Sequence, residues 1–138
     1  MHIIFGGAYN GKREYVKRQL TGCRYSWYEG KLPDKADGLP VIAGVEQWIK
    51  QQLEAGSTEN AVARDALKAV QDNQIWILTD LHRGIVPIDP LERKMRDATG
   101  RLYQRLFSQA AGVTRIWYGI PQILKGDEPL EDLYKNRR

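Results

Sequence analysis

His2-Ile3-Ile4-Phe5-Gly6-Gly7-Ala8-Tyr9-Asn10-Gly11-Lys12 decides the fold. The apolar run ends abruptly in glycines, which predicts a short buried strand, and Lys12 to Leu20 has helix-compatible composition, with Tyr15, Val16 and Leu20 facing inward. Strand, glycine loop and helix follow one another without a spacer. Gly6, Gly11 and Lys12 satisfy G-x-x-x-x-G-K in the context that its chemistry needs. Glycines let backbone N–H groups turn toward phosphate oxygens, and the helix start adds its positive end. The segment Gly6, Gly7, Ala8, Tyr9, Asn10, Gly11, Lys12 and Arg13 is therefore the expected nucleotide or phosphate cradle, with Lys12 on the outer phosphates. The plainer reading is a strand ended by glycines and a lysine opening a surface helix; pattern and placement together favour phosphate.

Downstream, strands and helices alternate. Val41-Ile42-Ala43 and Ile75-Trp76-Ile77-Leu78-Thr79 are expected strands. Val45, Trp48, Ile49 and Leu53 recur at helical spacing. Gly56-Ser57-Thr58 breaks that helix, and Thr58 or Asn60 caps the next one, with Val62, Ala66, Ala69 and Val70 inward. Asp89, Pro90 and Glu92 mark a sharp helix start, followed by a stripe from Leu91 to Ala110. Arg115-Ile116-Trp117-Tyr118 is the last expected strand, closed by Gly119-Ile120-Pro121. Residues 21–38 show no clear element. The expected fold is α/β: a P-loop NTPase-like three-layer domain, its mostly parallel central sheet flanked by helices, with ligands at the carboxyl ends of the strands.

The chain has 138 residues, about one domain, spanning 1–138, with a flexible basic tail expected over 128–138. Hydrophobic residues make up 42%, enough for one core and too many for a disordered chain. No apolar run reaches membrane-spanning length, and the start turns to glycine too soon for a secretory leader, so a cytoplasmic protein is expected. Cys23 is alone, which leaves no intrachain disulfide, and His2, His82 and Cys23 have no metal-ligand spacing. The net charge of +4 is matched by residues 10–31 alone, where six cations face Glu14 and Glu29. An anionic ligand near that end is the consequence. Tyr25, Trp27 and Tyr28 among Arg24 and Lys31 suggest base stacking, but no recognition fold accompanies them, and a core or interface cluster is simpler; nucleic acid is not expected.

Arg13 stands where a working loop of this type has the Ser or Thr that holds magnesium, and a guanidinium has no acceptor atom. Arg13 suits phosphate neutralisation instead, and magnesium stays an open question. Val41-Ile42-Ala43-Gly44 ends without the carboxylate expected beside such a loop.

Gly84-Ile85-Val86-Pro87, then Arg93, Arg96-Asp97, Gly100-Arg101-Leu102 and Gln104, together with Gly6-Gly7 and Gly11-Lys12 and the late Gly119-Ile120-Pro121, resemble the bifunctional adenosylcobinamide kinase/adenosylcobinamide-phosphate guanylyltransferase family of cobalamin biosynthesis. The resemblance implies ATP or GTP as cofactor, a corrinoid hydroxyl as phosphate acceptor, and a homo-oligomer. It puts triphosphate on Gly6, Gly11 and Lys12 and a catalytic carboxylate at Asp80. It makes Arg83, Arg93, Arg96 and Asp97 substrate or interface residues. The family's guanylylated histidine has no counterpart, since no histidine lies between His2 and His82. His82 follows the clearest strand, where it is either a nucleophile or base beside Asp80 or an ordinary loop histidine. Two readings remain: a nucleotide-dependent transferase, or a relative that binds nucleotide or phosphate without transfer.

Overall fold

The computed structural model describes residues 1–8, 10–34, 38–80 and 89–126. Tyr9, His82, Arg83, the Gly84-Ile85-Val86-Pro87 block and the 128–138 tail lie outside the described residues.

Six strands form one sheet: β1 His2–Gly7, β2 Tyr25–Glu29, β3 Leu39–Ala43, β4 Ile75–Asp80, β5 Gly112–Trp117 and β6 Ile120–Lys125. Their spatial order is β2-β3-β4-β1-β5-β6. All neighbouring pairs are parallel except β5 with β6. The helices are α1 Lys12–Gln19, α2 Val45–Glu54, α3 Glu59–Lys68 and α4 Pro90–Gln109.

Both faces of the sheet are covered, so its central strands are apolar on both sides rather than alternating. Ile4, Val41, Ile75, Ile77 and Ile116 pack under α1 through Tyr15, Val16 and Leu20. Ile3, Ile42, Trp76 and Leu78 face the opposite way, against α2, α3 and α4. The indole N–H of Trp76, the largest fully buried side chain, donates to Gln74 Oε1 at 2.9 Å, so its polar atom is not orphaned. The α/β class, the mostly parallel sheet and the flanking helices agree with the sequence expectation.

Capping fixes the helix starts. Thr58, rather than Asn60, caps α3: its Oγ1 accepts from Ala61 N at 3.1 Å. Asp89 Oδ1 accepts from Leu91 N at 2.9 Å, with Pro90 at the first helical position. The other two starts, Gly11 and Gly44, have left-handed backbone and no side-chain cap.

Two strands depart from the sequence expectation. Tyr25–Glu29, in the stretch without a clear element, is the edge strand β2, with Tyr28 its one fully buried residue. Gly119-Ile120-Pro121 does not end the sheet. Tyr118 and Gly119, at φ 51° and 78°, form the two-residue loop of a hairpin that leads into β6. Two consecutive positive φ values match the right-handed twist of the flanking strands, which is why such short loops select them. Pro121 is tolerated there because β6 is an edge.

Candidate functional site: the carboxyl edge of the sheet

The chain leaves β1 for α1 on one face and leaves β4 toward α4 on the other. Adjacent strands whose connections diverge open a crevice at their carboxyl ends, the usual ligand position in a sheet of this kind. β1 and β4 are such a pair, and Gly7 stands opposite Asp80 in their register. The glycine loop and the expected carboxylate are thus brought to the same crevice.

Glycine at position 6 is required by packing. A β-carbon there would lie 2.4 Å from the Ile116 carbonyl oxygen, so β1 approaches β5 more closely than any side chain allows. Gly11 has φ 84°, the left-handed conformation that turns the loop into α1. The β5–β6 hairpin braces the loop from outside, with Gly119 N donating to the Asn10 carbonyl at 2.9 Å.

Lys12 does not point into solvent. It is 4% exposed, and its ammonium donates to the Gly7 carbonyl at 2.7 Å, curling the side chain back over the loop it follows. Burial pulls the Lys12 pKa down, Arg13 pulls it further, and Glu46 opposes both. An ammonium has three donors. Gly7 is the acceptor that it reaches among the described residues, so a bound anion would both fill donors and repay part of the desolvation.

Arg13 is already engaged. Its Nε and Nη2 donate to Glu29 Oε1 and Oε2 at 3.0 and 2.8 Å, a two-point pair tying the start of α1 to the end of β2. Trp27 Nε1 donates to Glu29 Oε1 at 3.1 Å. Arg13 first, then Trp27, holds the Glu29 carboxyl below its ordinary range against the opposing effect of burial. A β-carbon on Gly44 would sit 2.5 Å from Glu29 Oε2, so the glycine that opens α2 also makes room for this carboxylate. The pair already neutralises Arg13 and takes two of its five donors, so a phosphate would have to share the guanidinium with Glu29.

Sequence reasoning missed Glu46. The strand β3 does end without a carboxylate, but Gly44 turns the chain at once into α2, and Glu46 lies in its first turn. It acts electrostatically on Lys12, Arg13 and Tyr103, which places it on the crevice. Its Oε2 is buried without a hydrogen-bond partner among the described residues. The available signal was an acid two residues after a strand-ending glycine, displaced from the position normally inspected. Tyr103 closes the floor: its hydroxyl donates to the Thr79 carbonyl at 2.9 Å, and burial, then Glu46, raises its pKa.

The remaining expected residues are less centralised. Asp80 is half-buried at the crevice. Arg93, Arg96 and Asp97 lie in the first two turns of α4, roughly 9 to 15 Å from the level of Tyr103 along the helix axis. Arg101, at i,i+4 from Asp97, turns its Nη1 to Asn60 instead, donating to Oδ1 at 2.7 Å. His2 is buried beneath the opposite end of the sheet, its Nε2 3.1 Å from Thr114 Oγ1. Among the described residues, no group of three or more His, Cys, Asp or Glu can hold a metal ion, and no helix is long and apolar enough to cross a membrane. Arg13, at the position where such a loop has its magnesium-holding hydroxyl, is bound to Glu29 instead.

No protein-family model matches this chain, and no curated protein matches it either.

Proposed function

We propose that the chain binds the phosphates of a nucleoside triphosphate, ATP or GTP, in the crevice between β1 and β4, and passes a phosphate to a corrinoid hydroxyl. One observation carries the binding half: a desolvated ammonium, Lys12, curled over a glycine loop at the point where the sheet's connections diverge. Burial of a charge is expensive, Glu46 offsets only part of it for Lys12, and polyanion binding would offset more. The loop amides and the amino end of α1 supply further donors for the same oxygens.

The transfer half rests on the family resemblance and on two carboxylates. Asp80 ends β4 opposite the loop, and Glu46 presents an unpartnered buried oxygen to the same crevice. In this account Lys12 draws charge toward the outer phosphates, while Asp80 or Glu46 accepts the hydroxyl proton of the acceptor. The homo-oligomer implied by the same resemblance is supported by the β5–β6 hairpin, where Trp117, Tyr118, Ile120, Ile123 and Leu124 are exposed. An edge strand carrying that much apolar surface is normally covered.

The Arg13–Glu29 pair favours a second reading, in which nucleotide or phosphate binds and no transfer follows. It occupies the position at which a metal-assisted loop needs a hydroxyl. Incubation of the protein with adenosylcobinamide and γ-labelled ATP or GTP in magnesium decides between the two. Labelled corrinoid that disappears with Asp80→Asn or Glu46→Gln supports transfer. Retained nucleotide binding without labelled product, at high protein concentration, establishes the binding-only reading.

A further inference from the structure

A second concentration of positive charge lies away from the crevice, on the outer side of α3 and α4. The two helices flank a groove of about 820 Å³ whose lips carry Arg64 and Lys68 from α3 and Arg101 and Arg105 from α4, over Ala63 and Leu67. Among the described residues, no carboxylate belongs to its lining. Asp65 approaches Arg64 Nε only at 3.8 Å, in an exposed pair.

Each helix contributes its two cations at i,i+4 spacing, which stacks like charges on one face and is unfavourable in a helix by itself. Close packing of α3 on α4, through the buried Ala63 and Ala66, sets the two rows beside each other and adds to the repulsion. Asn60 fixes one cation: its Oδ1 accepts from Arg101 Nη1 at 2.7 Å and leaves the rest of that guanidinium to an incoming anion. We propose that this groove is a binding site for a small molecule bearing two or more phosphate groups. The four cations span about 6 Å along each helix, a length that adjacent phosphates cover, and the groove volume falls in the range of small-ligand sites. Arginine's planar fork suits phosphate oxygens, and three of the four cations are arginines. The site is independent of Lys12.

The test is an amide NMR titration of the full chain carrying Lys12→Ala, so that the glycine loop is silenced, with inorganic tripolyphosphate at about 150 mM salt. Saturable shifts at Ala63, Leu67 and Gln104 are expected, with a dissociation constant below about 1 mM. The double variant Arg101→Gln, Arg105→Gln should weaken that binding at least about 10-fold, with its spectrum elsewhere unchanged to show that it folds. Absence of saturable shifts, or shifts that survive the double variant, would overturn the proposal. So would a single-stranded oligonucleotide that binds more tightly at equal phosphate concentration and moves amides well beyond the groove, since the face would then serve nucleic acid.

Discussion

At Gly6 the backbone of β1 rests against the Ile116 carbonyl, and the smallest added side chain has nowhere to go. Gly6→Ala should therefore destabilise the fold by about 1–3 kcal/mol, because two central strands must separate. Urea unfolding measures it, and an unchanged midpoint would show that the sheet yields more easily than the contact implies. His2 gives a pH signature. Burial, then the N-terminal ammonium, lowers its pKa to about 4 from an ordinary 6.5. The unfolded chain consequently takes up a proton that the folded chain refuses between those values. This contribution to stability is complete above pH 6.5, declines as pH falls toward 4 and then levels off, with a total on the order of 3 kcal/mol. Replacing His2 with Asn should flatten that part of the stability–pH curve; an unaltered slope would place the titration elsewhere. Among the site residues, Gly6, Gly11 and Lys12 were legible because strand, loop and helix are contiguous in sequence. Glu46 was not, because its position depends on where β3 leaves the sheet. The engagement of Arg13 was also hidden, since Glu29 is supplied by a strand 16 residues away.

The elements themselves divide by burial. Strands β1, β3, β4 and β5 have apolar residues on both faces, and their composition announced them. The edge strands gave no such signal. β2 buries only Tyr28 fully, and β6 buries nothing, so neither shows an apolar run or an in/out alternation. Backbone pairing to β3 and to β5 holds them, and sequence periodicity does not report that pairing. The density of Tyr and Trp over residues 25–28 was the one available hint, obscured by Gly22, Gly30 and Pro33 around it. Helix starts were more legible, since a cap is a local interaction. Thr58→Ala removes the acceptor for Ala61 N and should cost about 1 kcal/mol, read as a drop in thermal midpoint; Asn60→Ala should leave the α3 cap intact. Equal losses in both would mean that Asn60 shares the capping or that its bond to Arg101 matters as much.

For the molecule as a whole, the alternation of strands and helices made the α/β class and the parallel sheet accessible, while strand order was not. The order β2-β3-β4-β1-β5-β6 depends on contacts between distant segments, and it alone brings Gly7 opposite Asp80 and sets β1 and β4 on either side of the crevice. Helices on both faces, an ammonium drawn over the loop and acids from β4 and α2 make that edge the chemically loaded end of the protein. Titration calorimetry of ATP and GTP into the wild-type chain and Lys12→Ala tests this most directly. At least one nucleotide should bind, and the substitution should weaken it about 10- to 100-fold, the worth of a charge-assisted phosphate contact. Equal affinity in the two proteins, or no heat of binding in either, would contradict the account.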